Sequence, residues 1–229
     1  MLGAIGLIVG GYLLGALPFS VALAVATDLD PSVRDIHVEL WRKAGAFHAA
    51  VAMLVDVLKG VFPVLVGYGF ALPLEVVALS GVAAACGQMW PPMRGHGEKG
   101  NSVGVGALLT LLVCYGAYPA LLCALFFAVG AILRVDSLAR ETTEWRDPNH
   151  PLTLALPLGT LVGFVLCPLL CRLSGQPQAL VVGSVLLLVV IVIRRLTADL
   201  DQDLSIGAKI GPVLLRRLLF DQTLIERSR

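Results

Sequence analysis

The chain has 229 residues, of which 57% are hydrophobic and only 14% are charged, and its mean hydropathy is +0.86. Soluble domains usually carry about 25% charged residues, so this composition excludes an ordinary soluble fold and indicates a polytopic membrane protein. The formal net charge of +1 argues against a nucleic-acid-binding protein, which would carry a strong basic excess.

Several apolar segments are long enough to cross a hydrocarbon core, which takes about 20 helical residues. In chain order they cover residues 2–26, 46–70, 76–92, 152–171 and 179–193. The uncharged stretch 103–133 is too long for one helix, and Gly116 and Pro119 favour a turn in its middle.

The positions of Lys and Arg indicate how often the chain crosses the membrane. Two spans within 103–133 make seven in total and put fifteen of the 17 basic residues on one side, whereas a single span would scatter them over both sides. We therefore predict an all-α polytopic membrane protein with seven transmembrane helices, its N-terminus outside and its C-terminus inside. The outer loops are then very short, so nearly all the polar chemistry lies on the cytoplasmic side.

Residues 1–200 are predicted to form one membrane domain, and residues 201–229 a cytoplasmic basic tail. The second half of segment 206–220 is typical of a short amphipathic helix on the inner leaflet, where Arg216 and Arg217 would meet anionic headgroups. A simple tail is the alternative.

The five cysteines are odd in number and all lie in apolar stretches. This pattern predicts buried free thiols rather than a disulfide framework or a zinc site. The sequence also contains no HExxH, GxSxG or dinucleotide-binding motif. We therefore expect neither a metal nor an organic cofactor.

Two ionisable residues, Asp56 and Lys59, lie within the second apolar segment. Charged groups inside a membrane are costly, and their i, i+3 spacing puts them on one helical face where they can pair. They form either a structural ion pair or the lining of a polar cavity open to the cytoplasm.

A glycine-rich loop, RGHGEKGNSVGVG at 94–106, precedes the fourth span. Its glycines allow the backbone to approach a ligand, Lys99 supplies positive charge, and Asn101 or Ser102 is expected to cap the following helix. A helix N-terminus with a nearby cation favours a phosphate, although Glu98 opposes an anion. A flexible turn without a ligand is the alternative.

The first cytoplasmic loop, at 28–45, contains Ser32, Arg42 and further charged residues. His37 and Glu39 are candidates for acid–base groups, but a solvated loop of mixed charge is the interpretation that the composition favours.

Several phrases of the sequence stand out by their order and spacing: GYLLGALPFS at 11–20, DVLKG at 56–60, GQMWPPM at 87–93 with EKG at 98–100, and LRVDSLA at 133–139. Together they resemble one family, the PlsY-type acyl-phosphate:glycerol-3-phosphate acyltransferases of the bacterial inner membrane. The resemblance implies seven spans and transfer of a fatty acyl group from acyl phosphate to glycerol 3-phosphate. The product would be lysophosphatidate for phospholipid synthesis.

The sequence departs from the family's motifs at several positions. Gln88 and Val189 stand where the family has histidine, and Glu98 stands where it has glycine. Two other functions therefore stay open beside the acyltransferase. One is a catalytically impaired homologue that acts as a lipid-binding or regulatory membrane protein, and the other is a small transporter.

The resemblance implies a set of site residues. Lys99, with the backbone of 97–102, would hold one phosphate, and Arg42 and Ser32 would contact the other phosphate or the glycerol. The predicted catalytic residues are Ser32, Arg42, Lys99 and Ser137. The predicted substrate-binding residues are Arg94, His96, Gly97, Gly100, Asn101, Ser102, Asp56, Lys59 and Arg195.

Overall fold

The computed structural model describes residues 1–30, 35–92, 97–139, 151–198, 200–205 and 209–221. All regular secondary structure in this part of the chain is helical, which confirms the all-α prediction. The α-helices are α1 (Leu2–Ala16), α2 (Phe19–Ala26), α3 (Ile36–Ala44), α4 (Ala46–Gly69), α5 (Leu74–Met89), α6 (Asn101–Cys114), α7 (Cys123–Ala139), α8 (Pro151–Leu173), α9 (Gln178–Thr197), α10 (Leu200–Ser205) and α11 (Ile210–Phe220).

Five helical segments among the described residues are long and apolar enough to cross a membrane: Leu2–Ala26, Ala46–Gly69, Tyr118–Ala139, Leu154–Leu173 and Gln178–Thr197. The apolar helices α5 and α6 are shorter. The long stretch 103–133 divides in its middle, as expected. Gly116 has a φ of 68°, and a 3₁₀ helix over Tyr118–Leu122 leads into α7.

Large apolar side chains remain exposed on the outside of these helices, among them Leu58, Phe62, Phe126 and Ile132. On a protein in water, a surface of this kind would favour aggregation. In a bilayer the same side chains contact lipid tails, and the helices satisfy their own backbone hydrogen bonds. The exposed surface therefore agrees with an integral membrane protein.

Helix α5 lies in the centre of the bundle and packs against α1, α4, α6 and α9. Its buried residues are mostly small, which lets neighbouring backbones come close. A Cβ at Gly15 of α1 would overlap the Ala84 carbonyl of α5, and a Cβ at Gly87 of α5 would overlap the Tyr12 carbonyl of α1. Only glycine fits at these two positions, so the α1–α5 distance depends on them.

A continuous apolar core joins α4–α9 and includes Leu108, Phe164, Leu187 and Ile191. All five cysteines are free, and Cys123, Cys167 and Cys171 are buried. The expectation of free thiols in apolar surroundings is therefore confirmed, although Cys86 and Cys114 are only partly buried.

The C-terminal segment folds back onto the bundle, where α11 packs against α8 and α9. Arg217 is buried, and its Nε and Nη2 lie 2.8 and 2.7 Å from Oδ2 of Asp203. The expected helix is present as α11, but the expectation that Arg217 meets lipid headgroups is wrong. Its guanidinium pairs within the protein, because the buried carboxylate of Asp203 offsets the cost of removing the charge of Arg217 from water.

We expect Gly15→Ala to lower the free energy of unfolding by about 2 kcal/mol, because the added methyl group forces α1 and α5 apart. Gly10→Ala is the matched control, since a Cβ there meets nothing within 4 Å. Thermal unfolding of the two variants in detergent measures the difference. Equal midpoints would contradict the close α1–α5 contact.

Candidate functional site

The buried pair Asp56–Lys59 lies on the inner face of α4. Lys59 Nζ is 2.7 Å from Asp56 Oδ1, and the two side chains are 4% and 0% exposed. Nζ also donates to the carbonyl oxygen of Leu17 at 2.8 Å. Pro18 interrupts the first apolar segment just after this carbonyl, which leaves the oxygen accessible to Lys59. The pairing that the i, i+3 spacing predicts is thus present.

The first loop contacts this pair through His37. Its Nε2 lies 3.1 Å from Asp56 Oδ2, and its side chain is only 19% exposed. Burial lowers the pKa of His37, but the carboxylates of Asp56, Asp35 and Glu98 outweigh this effect and raise the pKa above its ordinary value. The composition favoured a solvated loop of mixed charge, but His37 does not fit that expectation because most of its side chain is buried.

Helix α3 gives the loop a fixed structure near this site. Asp35 precedes the helix, and its Oδ1 accepts a hydrogen bond from the backbone N–H of Val38 at 3.3 Å, a typical N-cap. Its Oδ2 lies 3.9 Å from Lys99 Nζ. The surrounding protein raises the pKa of Asp35, but the positive charges of Lys99, His37 and Arg134 outweigh this and lower it.

Glu98 turns its carboxyl group toward α2 and α5. Oε1 accepts a short hydrogen bond from Ser20, and Oε2 accepts one from Gln88 Nε2 at 3.1 Å. Burial and the nearby charge of Asp56 raise the pKa of Glu98. The two hydrogen bonds hold the carboxyl group of Glu98 against α2 and α5.

His37, Asp56 and Glu98 each have one possible ligand atom within 4.8 Å of the other two. Three such atoms so close together could hold a metal ion. However, the Lys59 ammonium group lies 2.7 Å from Asp56. A fixed positive charge so close to the cluster repels a divalent cation. The cluster is therefore better suited to hold or transfer a proton than to bind a metal.

Lys99 and Asn101 lie where α6 begins. Gly100 is the N-cap residue in the left-handed conformation, with a φ of 71°, and no side chain caps the helix. The expected cap by Asn101 or Ser102 is wrong, because the sharp turn at Gly100 puts both residues inside the helix. Lys99 thus directly precedes the N-cap of a helix, and a helix N-terminus with a cation close in the chain favours an anion.

The C-terminal segment also reaches Lys99. Asp221 Oδ2 lies 3.5 Å from Lys99 Nζ and 3.5 Å from Asn101 Nδ2. The backbone carbonyl oxygen of Asp221 lies 3.4 Å from the same Nζ. Lys99 therefore has carboxylates on two sides, from Asp35 and from Asp221.

The two arginines at the end of α9 have different partners. Arg194 donates to the carbonyl oxygens of Gly97 and Glu98, which holds the glycine-rich loop against the helix. Arg195 is buried, and its terminal nitrogens donate to Pro157, Thr160 and Leu218. Arg195 thereby joins α8, α9 and α11, so its predicted substrate contact stays a prediction.

The structure also describes two of the predicted catalytic residues, Arg42 and Ser137. Arg42 is exposed in the last turn of α3. Ser137 is buried in α7, and its Oγ has no hydrogen-bond partner among the described residues. It lies on the same helical face as Arg134, whose charge acts on Asp35. Ser32, Arg94 and His96 lie outside the described residues.

The structure thus joins Asp56, Lys59, Lys99, Gly100 and Asn101 with residues that the sequence did not single out. These additional residues are Asp35, Arg134, Arg194 and Asp221, together with Glu98, which was expected to oppose an anion, and His37, which was considered and set aside. One local signal in the sequence could have indicated a structured loop. Asp35 is a residue type that favours N-cap positions, and it directly precedes the residues that form α3.

Comparison with known proteins agrees with this architecture. A family model described as "Glycerol-3-phosphate acyltransferase" matches residues 5–201. The chain is 31% identical over 186 residues to a glycerol-3-phosphate acyltransferase of Rubrobacter xylanophilus, covering 78% of this chain and 81% of the relative. It is 34% identical over 181 residues to one of Actinobacillus pleuropneumoniae serotype 5b, covering 76% and 90%.

A solved structure has the same fold. The crystal structure of PlsY, an integral membrane glycerol 3-phosphate acyltransferase, in its lysophosphatidic acid form superposes with a TM-score of 0.61. The sequences are 20% identical, and the match covers 90% of this chain and 93% of the other. The resemblance seen in the motifs is thereby confirmed: the chain belongs to the glycerol-3-phosphate acyltransferase family.

Proposed function

We propose that this protein transfers a fatty acyl group from acyl phosphate to a hydroxyl of glycerol 3-phosphate, giving lysophosphatidate and inorganic phosphate for phospholipid synthesis. Membership of the family supports the acceptor and the reaction type. The proposal depends on the position of Lys99, whose partly exposed positive charge comes directly before the N-cap of α6. This arrangement suits a phosphate group, and both substrates carry one.

The reaction needs little covalent chemistry from the protein. Acyl phosphate already has a good leaving group, so positioning and charge stabilisation supply much of the rate. Lys99 and the start of α6 would hold one phosphate, with Arg42 and Ser32 near the glycerol or the second phosphate. The acyl chain would lie against the apolar helix surfaces that face lipid.

We further propose that the protein spans a bacterial inner membrane seven times, with its N-terminus outside. The two shorter apolar helices, α5 and α6, join the five long segments to make seven, and the basic residues support the orientation. The polar cluster around Lys99 would then open to the cytoplasm, where glycerol 3-phosphate is available.

A labelling experiment tests this topology. In a variant without the five native cysteines, Glu75→Cys and Tyr118→Cys should react with a membrane-impermeant maleimide in intact cells. Lys43→Cys should react only after the membrane is opened. Reaction of Lys43→Cys in intact cells, or protection of Tyr118→Cys, would contradict the seven-span orientation.

An assay with acyl phosphate and glycerol 3-phosphate tests the activity, together with complementation of a strain that lacks its own acyltransferase. Lys99→Ala should reduce kcat/KM by about 10- to 100-fold, because a charged hydrogen bond to phosphate is lost. Lys43→Ala is the control, since Lys43 is 60% exposed and pairs with Glu39 on the surface.

The activity of the wild-type protein distinguishes the acyltransferase from the non-catalytic homologue. Formation of lysophosphatidate from acyl phosphate, but not from acyl-CoA, would support the acyltransferase. A well-expressed wild-type protein that forms no product would instead indicate a non-catalytic homologue.

The carboxylate of Asp221 competes with a phosphate for Lys99 and Asn101 in this proposal. Asp221→Asn should therefore lower the KM for glycerol 3-phosphate by about threefold, the size expected of a partly exposed ion pair. Glu75→Gln, which removes one negative charge from the exposed first turn of α5, serves as the control. An unchanged or higher KM in Asp221→Asn would contradict this competition.

A further inference from the structure

The C-terminal segment, which comprises α10, α11 and Asp221, lies almost entirely beyond residues 5–201, the part of the chain that the family model matches. It nevertheless contacts the proposed phosphate site. Asp221 directly follows α11, and both its carboxylate and its backbone carbonyl oxygen lie close to Lys99. The match to the family therefore does not account for this contact.

The carboxylate of Asp221 lies where a phosphate would bind. Its Oδ2 is 3.5 Å from Lys99 Nζ and 3.5 Å from Nδ2 of Asn101, the first residue of α6. The Asp221 side chain is only 7% exposed, so it fills this position instead of lying in solvent beside it. An anionic oxygen of the protein thus takes the place that the proposed function gives to an anionic oxygen of the substrate.

The contacts of Asp221 with the site are long. Both of its oxygens that approach Lys99 Nζ stay at 3.4–3.5 Å, whereas strong charge-assisted hydrogen bonds are about 2.8 Å long. A free phosphate ester can move closer to the ammonium group, and it carries more negative charge than one carboxylate. A phosphate would therefore gain more from Lys99 than Asp221 does, and it can displace the carboxylate.

The position of Asp221 depends on anchors away from Lys99. Arg217 Nε and Nη2 lie 2.8 and 2.7 Å from Oδ2 of Asp203, and both side chains are buried. Nη1 of Arg195 donates to the carbonyl oxygen of Leu218 at 3.0 Å. Asp221 then donates its backbone N–H to the Arg217 carbonyl at 2.9 Å and adopts a left-handed conformation with a φ of 52°, which aspartate tolerates better than most residues. The buried ion pair thus fixes α11, and the turn after it directs Asp221 toward the site.

We propose that the C-terminal segment is an autoinhibitory strap. Asp221 occupies the phosphate position while the site is empty, and the phosphate of glycerol 3-phosphate displaces it. The inference rests on the proposed function. Residues 218–221, the last turn of the strap, detach when the phosphate binds, because the ends of helices open most readily, whereas the buried pair of Arg217 and Asp203 keeps the rest of α11 in place. Since only the open state binds substrate, the strap raises KM and leaves kcat unchanged.

The main test measures hydrogen–deuterium exchange of the wild-type protein in detergent, without ligand, with saturating glycerol 3-phosphate and with glycerol, which lacks the phosphate. We expect glycerol 3-phosphate to speed exchange of the backbone amides of residues 218–221 by about threefold, the same factor that the competition sets for KM. Glycerol should have no effect. The amides of residues 214–217 serve as the internal control and should keep their rates. In Asp221→Asn, residues 218–221 should exchange fast even without ligand.

A second test acts on the anchor and not on the site. Arg217→Met removes the guanidinium that pairs with the buried carboxylate of Asp203, which loosens α11. We expect KM for glycerol 3-phosphate to fall by about threefold with kcat unchanged, and addition of Asp221→Asn to lower it no further, because both changes release the same strap. Lys209→Met is the matched control, since Lys209 is an exposed cation at the start of α11. If Arg217→Met does not fold, the exchange rates of the wild-type protein still decide.

Several outcomes would overturn the strap. Slower exchange of residues 218–221 with glycerol 3-phosphate would mean that the segment closes over the substrate instead of leaving it. Unchanged exchange, with binding confirmed by calorimetry, would mean that Asp221 does not move. A fall of kcat in Asp221→Asn would give this residue a part in the reaction itself. If the wild-type protein binds no glycerol 3-phosphate, the proposed function fails and the strap with it, whereas binding and turnover without release of residues 218–221 refute only the strap.

Discussion

The buried ion pair between Asp56 and Lys59 determines how the polar end of the protein is arranged. Two charges inside an apolar helix are stable only if neighbouring groups satisfy their remaining hydrogen-bonding capacity. Three separate segments meet at this pair, and of these the break after α1 provides a hydrogen-bond acceptor for Lys59. The break after α1 supplies the Leu17 carbonyl, the first loop supplies His37, and the glycine-rich loop brings Glu98 close.

The consequence is a row of alternating charges that runs from α4 to the C-terminal segment. Each member lies beside a group of opposite charge, His37 when its ring is protonated, so the row favours contact between the loops that carry it. Its members, in order, are Lys59, Asp56, His37, Asp35, Lys99 and Asp221. In the proposed function, a phosphate that binds Lys99 would compete with two of these carboxylates, one of them in the C-terminal segment beyond the family match.

Much of the scaffold could be predicted from the sequence. Apolar length predicted each long helix, Gly116 marked the break in 103–133, and the i, i+3 spacing predicted the Asp56–Lys59 pair. The site was harder to predict, because its members are far apart in the chain. Asp221 is 122 residues from Lys99, and neither residue carries a local pattern that indicates the other.

By itself, the sequence determined the all-helical membrane fold and the family, because hydrophobicity and motif spacing are local properties of the chain. Only the tertiary structure decided which charges meet. His37 resembles a solvated loop residue in the sequence, yet its ring lies against a buried carboxylate. Arg217 resembles a lipid-facing cation, yet it pairs with Asp203. In both cases an ion pair in a low-dielectric environment outweighs the local pattern, and such pairs form only when distant segments pack together.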